Sequence, residues 1–123
     1  MVVLSFCLHR LPQLSREEFQ RYWREEHAPL VARHSKVLRI ERYVQLHSVE
    51  PSLNEAFRVG RGGPEEYDGI AQLWWSSVED LVQATASDEG RRAGEELLAD
   101  ERRFIDLARS PLWLSREHPV VGG

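Results

Sequence analysis

Thiols are nearly absent from this sequence. Cys7 is the only cysteine in 123 residues, which excludes an internal disulfide framework and leaves a thiolate-based zinc site short of ligands. Lysine is as scarce: Lys36 is the only one, so arginine carries almost all of the positive charge. The 16 basic residues fall short of the 20 acidic ones, for a formal charge of -4. A nucleic-acid footprint needs clustered positive charge, so no DNA or RNA partner is expected. Long apolar runs are missing too. The first hydrophobic stretch, Val2 to Leu8, is interrupted by His9 and Arg10 and is too short for a membrane span or a signal peptide, so no membrane partner and a cytoplasmic location are expected. The glycine run GRGG at 60–63 lacks the lysine and Ser/Thr of a phosphate loop and reads as a turn. What is present is 41% hydrophobic content with 9% aromatics, enough for the core of one domain over residues 1–123.

The clearest local signal lies between Leu14 and Val31. Ser15 and Glu18 have the spacing of a capping box, and Leu14 with Phe19 that of a hydrophobic staple, so a helix starts there. Its apolar stripe is Phe19, Tyr22, Trp23, Leu30 and Val31, and steps of four carry Phe19 to Trp23 to His27 along that face. One imidazole is thus set among aromatics. Pro29 removes an amide and crowds the carbonyl of Glu25, so the helix is expected to kink or loosen beside His27.

Around this helix, alternation predicts strands over Val2 to His9, Val37 to His47 and Asp68 to Trp75. Gly69 and Ala71 leave room on their face of the third strand. Residues 48–66, with Pro51, Gly60, Gly62, Gly63 and Pro64, lack a sustained period and read as a long irregular connection. Ser77 opens a helix through Val78, Leu81, Val82 and Ala86, and Ser87 with Asp88 restarts it to about Arg103. In that second part Ala93, Leu97, Leu98 and Glu101 form the buried stripe. A last strand region begins at Phe104 and Ile105, breaks near Pro111 and resumes through Leu112 to Glu117. The order strand, helix, strand, strand, helix, strand is that of an α+β, ferredoxin-like βαββαβ fold with a four-stranded antiparallel sheet and two helices on one face. Several strands carry apolar residues on both faces, so a second copy is expected to cover the open one through a twofold contact, giving a homodimer.

The runs FQRYWREEHAPLV at 19–31, YDGIAQLWWSS at 67–77, DERRFID at 100–106 and SREHPV at 115–120 resemble the EthD family, within the dimeric α/β-barrel superfamily. The resemblance implies a pocket between helices and sheet and a cofactor-independent reaction, an oxidoreductase (monooxygenase-like) step or a cyclisation or decarboxylation, on a hydrophobic ring or polyketide-type molecule. Its alternative is a non-catalytic protein that binds such a metabolite. His27 matches the histidine of the family's helix motif, and Tyr67, Asp68 and Gly69 match its third-strand entry. Gln72 departs from it, standing where many relatives carry an acidic residue.

Proton transfer near neutral pH is best served by an imidazole, so His27 is the candidate acid or base. A core histidine bonded to a carbonyl freed by Pro29 fits the same pattern. Asp68 and Tyr67 complete the candidate catalytic set, Asp68 to raise the imidazole pKa and Tyr67 to bind a substrate oxygen. Tyr22, Trp23, Tyr43, Trp74, Trp75 and His118 are the candidate substrate contacts. Adjacent Trp74 and Trp75 must face opposite ways in a strand, so only one of them can line a pocket inside the subunit. His9, His34 and His47 read as surface or edge residues, His27 and His34 lie too far apart for a recognised metal pair, and no metal or cofactor is expected.

Overall fold

In the computed structural model, which describes residues 1–49 and 51–123, four strands form one antiparallel sheet. They are β1 (Val2–Leu8), β2 (Arg42–His47), β3 (Gly69–Trp75) and β4 (Leu112–Ser115), in the spatial order β2-β3-β1-β4. This is the expected ferredoxin-like α+β order. Register fixes the faces: Phe6 pairs with Ala71 and Leu4 with Leu73, and both pairs face the helices, whereas Cys7 with Ile70 and Ser5 with Gln72 face away.

The helices are α1 (Arg16–Tyr22), α2 (Ala28–His34), α3 (Pro51–Arg61), α4 (Val78–Ala86) and α5 (Asp88–Glu101). Ser15 and Glu18 cap α1 reciprocally, as their spacing predicts. Between α1 and α2 the chain makes a π-helical turn, Trp23–His27, in which the Ala28 amide reaches back to the Trp23 carbonyl. In a plain α-helix, residues spaced by four drift by about 40° per step. The wider turn absorbs that drift, so that Phe19, Trp23, His27 and Val31 are all buried along one side. Pro29 sits in the first turn of α2, where its missing amide costs little.

Phe6, Leu8, Phe19, Trp23, Ala71, Phe104 and Ile105 form the core between helices and sheet. Phe19 contacts both Trp23 and Phe104, at centroid separations of 5.6 and 5.5 Å. Burying a side chain of this size contributes roughly 2 to 3 kcal/mol. Ser87 closes the turn between α4 and α5, accepting from the Gly90 amide and donating to the Ala84 carbonyl.

Three sequence expectations need correction. The segment read as irregular carries α3, whose apolar Leu53, Phe57 and Val59 are all exposed. Pro51 at its first position and Gly60, Gly62 and Gly63 at its end read as turn residues and outweigh the helical spacing of Leu53, Ala56 and Phe57. Second, β2 starts only at Arg42, because Arg39 takes a positive φ of 57° and the preceding residues are turns. Third, Phe104 and Ile105 do not lie in a strand. They pack into the core ahead of a short 3-10 turn at Leu107–Arg109, and β4 spans only Leu112–Ser115. The helix-free face buries Val3, Cys7 and Trp74 but exposes Trp113 (51%) and Leu46 (44%).

Candidate active site

The interior aromatics leave a hollow of about 60 Å³ beneath α2 and α5. Phe6, Leu8, Ala71, Leu73 and Ile105 give it apolar walls. His27, Glu101, Tyr43 and Trp23 also border it. Larger clefts lie open at the surface, such as a polar one of about 500 Å³ between Arg10, Arg16, Arg58 and Glu66. The hollow is the one that holds the imidazole.

His27 Nδ1 lies 2.7 Å from Asp100 Oδ2, and the other carboxylate oxygen accepts from the Tyr22 hydroxyl at 2.6 Å. A carboxylate only accepts, so Nδ1 carries the proton and Nε2 holds the lone pair. Among the described residues Nε2 has no protein partner, yet no sealed side-chain nitrogen or oxygen lacks one; Nε2 therefore meets open space. The ring also packs on Phe104 at 5.0 Å. Burial pushes the His27 pKa down and the Asp100 hydrogen bond and charge only partly offset it, so the ring is neutral at physiological pH. An oriented, neutral imidazole with an available lone pair has the chemistry to accept a proton.

Two further groups complete the lining. The Gln45 amide donates to the Tyr43 oxygen at 2.8 Å and to the Trp23 carbonyl at 2.9 Å, so the Tyr43 proton is left to donate elsewhere. Desolvation raises the Tyr43 pKa and keeps that proton in place. Glu101, at the end of α5, has no side-chain hydrogen bond or ion pair among the described residues. Burial, and then the charge of Asp100, raise its pKa to about 7 against a weaker effect of Arg102.

Trp23 and Tyr43 thus stand in the hollow with His27, as the sequence reading has them. Tyr22 touches Asp100 instead and faces a separate cleft. Asp68 does not join His27. Its buried carboxylate accepts from the Arg10 amide (2.8 Å), the Arg10 guanidinium (2.6 Å) and Arg16 (3.0 Å), tying the start of α1 to the start of β3. Burial alone would raise its pKa, but those donors together lower it. Tyr67 stays beside Asp68, with its ring against His9 at 4.6 Å. Trp75 faces the helices as one of the pair must, but its indole is bound to the Leu38 carbonyl at 2.7 Å, away from the hollow. Trp74 faces the other way, donates to Glu117 and lies under the Arg42 guanidinium at 4.6 Å. Gln72 is also on that helix-free face. His118 is exposed beyond β4. His47, read as an edge residue, is on the edge strand but stacks on Trp23 at 4.4 Å.

Asp100 and Glu101 are the groups that the candidate set lacked. Glu101 had a signal: it follows Ala93 and Leu97 in steps of four on a buried stripe, where a carboxylate is out of place. Asp100 had none from periodicity. Among the described residues no three His, Cys, Asp or Glu side chains converge in a way that would hold a metal ion, and no helix is long and apolar enough to cross a membrane.

Solved structures share this fold. An EthD family protein of Bacillus halodurans C-125 is 20% identical over 96% of this chain and 100% of its own, with a TM-score of 0.62. A dimeric protein of unknown function with a ferredoxin-like fold, from Bacteroides fragilis, is 10% identical over 94% of this chain and 95% of its own, with a TM-score of 0.58. SnoaB, a cofactor-independent oxygenase of Streptomyces nogalater, is 14% identical over 99% of this chain and 95% of its own, at a TM-score of 0.53. No curated protein matches the sequence. The EthD domain model matches residues 11–108, from just before the cap of α1 to the turn ahead of β4. The chain belongs to the EthD domain family.

Proposed function

We propose that this protein is a cofactor-independent enzyme that binds a hydrophobic ring compound with its reacting edge in the mouth of the hollow and removes a proton from it with His27. The observation that carries the reading is the His27–Asp100 contact at 2.7 Å, with the imidazole lining an apolar hollow. It fixes the tautomer a base requires and stabilises the imidazolium that forms. Proton removal is the step shared by oxygenation of an electron-rich ring, with dioxygen as the oxidant, and by cyclisation or decarboxylation. The likeness to an oxygenase favours an oxidoreductase. Tyr43 donates to the substrate oxygen and Trp23 forms a wall. Asp68 supports the site from outside by fixing the start of α1, and Tyr67 packs on His9 beside it.

Phenol, a neutral single ring, tests the reading directly. Titrated into protein labelled with 15N at histidine, it is expected to shift the His27 ring resonances saturably. An unperturbed imidazole at saturating phenol would remove the basis of the proposal.

The working unit of this reading is a homodimer, with the helix-free face covered by a second copy. Trp113, Leu46 and Ile70 supply an apolar surface there, and a neighbour of the same fold is described as dimeric. Sedimentation equilibrium should then report about twice the 14.3 kDa chain mass, and Trp113→Asp should return the monomer. A wild-type monomer would refute the dimer.

A further inference from the structure

We propose that Tyr22 is a positioning residue for His27: its hydroxyl holds the Asp100 carboxylate in place and draws charge from it, so that Asp100 orients the imidazole without fixing a second proton on it. This rests on His27 being a base and goes beyond it by naming the group that keeps the ring free to accept.

The local winding makes the arrangement possible. Tyr22 and His27 are five residues apart, a spacing that would set them about 140° apart around a plain α-helix. The wide turn closes between residues five apart, from the Ala28 amide to the Trp23 carbonyl, and such winding brings side chains at that spacing toward one side. One carboxylate from α5 then bridges the two. Its Oδ1 accepts from the Tyr22 hydroxyl at 2.6 Å and its Oδ2 lies 2.7 Å from His27 Nδ1. Phe104 backs both rings, at centroid separations of 5.1 Å from Tyr22 and 5.0 Å from His27. Burial, and then the hydrogen bond and charge of Asp100, push the Tyr22 pKa up, so the hydroxyl keeps the proton it donates.

Two demands on Asp100 oppose one another. A carboxylate at hydrogen-bond distance fixes the tautomer of the ring, but its charge also favours the imidazolium, which has no lone pair to offer. The Asp100 side chain is only 15% exposed, so solvent screens that charge weakly. A hydrogen bond from a phenol to a carboxylate is charge-assisted and shares the negative charge with a second donor. Tyr22 thereby loosens the hold of Asp100 on an imidazolium while leaving Oδ2 in place to accept from Nδ1.

The other charged and titratable groups near the pair are less well placed for this. Among the described residues, Asp100 accepts hydrogen bonds from Tyr22 and His27 alone, and Asp100 is the group whose hydrogen bond and charge act on the His27 ring. Arg103, just beyond α5, holds its Nε 4.0 Å from Oδ1, outside hydrogen-bond reach, and its side chain is 73% exposed, so its charge is screened. Glu101 from α5 and Tyr43 from β2 border the hollow with the ring. Arg24, Glu25 and Glu26 of the wide turn are exposed.

A pH titration of His27 reads this without a substrate. In full-length protein labelled with 15N at histidine, the ring resonances of His27 give both its titration midpoint and the nitrogen that carries the proton. Tyr22→Phe keeps a ring against Phe104 and removes the donor. It should raise the His27 midpoint by about one pH unit, a tenfold gain in proton affinity, with the neutral form still protonated at Nδ1. A ring-fluorinated tyrosine at the same position, a stronger donor of nearly the same shape, should lower the midpoint. In an Asp100→Ala background Tyr22→Phe should leave it where it is, because the effect runs through the carboxylate. Thermal unfolding shows that each variant is folded. An unchanged or lowered midpoint in Tyr22→Phe, a fluorinated tyrosine that fails to lower it, or a rise that persists without Asp100 would overturn the role of Tyr22. The phenol titration of the wild type judges the base independently of all three.

Discussion

His27→Gln is expected to lower kcat by about 10²- to 10⁴-fold, the range for loss of a positioned general base. Glutamine keeps a polar group near Asp100 but has no lone pair of comparable basicity. The companion change, Asp100→Asn, should fall in the same range for a different reason. Asp100 uses one oxygen for His27 and the other for Tyr22, and asparagine has a single acceptor oxygen. If that oxygen keeps the Tyr22 proton, the amide NH2 faces Nδ1 and must donate to it. The ring proton then moves to Nε2, and the hollow meets a donor where it needs a base. Steady-state rates on a turned-over substrate, with far-UV circular dichroism as the check on folding, measure both effects. Full activity in either variant would remove the dyad from the mechanism.

Gly69→Ala is expected to destabilise the fold by about 3 kcal/mol, seen as a Tm lower by roughly 10 °C in thermal unfolding. An added methyl would stand 2.7 Å from the Leu46 carbonyl oxygen and 2.8 Å from Trp23 Cη2. The carbonyl belongs to the neighbouring strand and the indole is fully buried, so neither yields without disturbing the sheet or the hollow. Gly60→Ala is the control, since nothing lies within 4 Å of its added methyl. It should be neutral or slightly stabilising through helix propensity. Equal midpoints for Gly69→Ala and the wild type would show that Trp23 moves freely, against the packing described.

What the sequence made legible follows from local rules. Ser15 with Glu18 set the start of α1, and steps of four placed His27 inside, because capping and periodicity are properties of neighbouring residues. Gly69 and Ala71 marked an empty strand face, which the Trp23 ring fills. The partner of His27 was not legible. Asp68 was the nearer guess because it matches a family motif at a strand entry, but its carboxylate is taken by Arg10 and Arg16, and Asp100 arrives from a helix 73 residues away. That meeting depends on how α5 packs against the π-helical turn, a tertiary fact with no periodic trace. Glu101 carried the same step-of-four signal as His27, and taking it for a helix-stripe position hid its chemistry. Helix α3 does carry a helical period in Leu53, Ala56 and Phe57, but its proline and the glycines at its end read as breakers of one.

The π-helical turn between Trp23 and His27 makes the length of this segment as consequential as its composition. Wound as a plain α-helix, the same residues would swing everything upstream by about 100° about the axis and carry Phe19 out of the interior with every side chain unchanged. Excising one residue would instead restore ordinary winding and keep both faces in phase. A single-residue gap in this stretch therefore trades the wide turn for a plain helix and leaves the aromatic-backed imidazole in place.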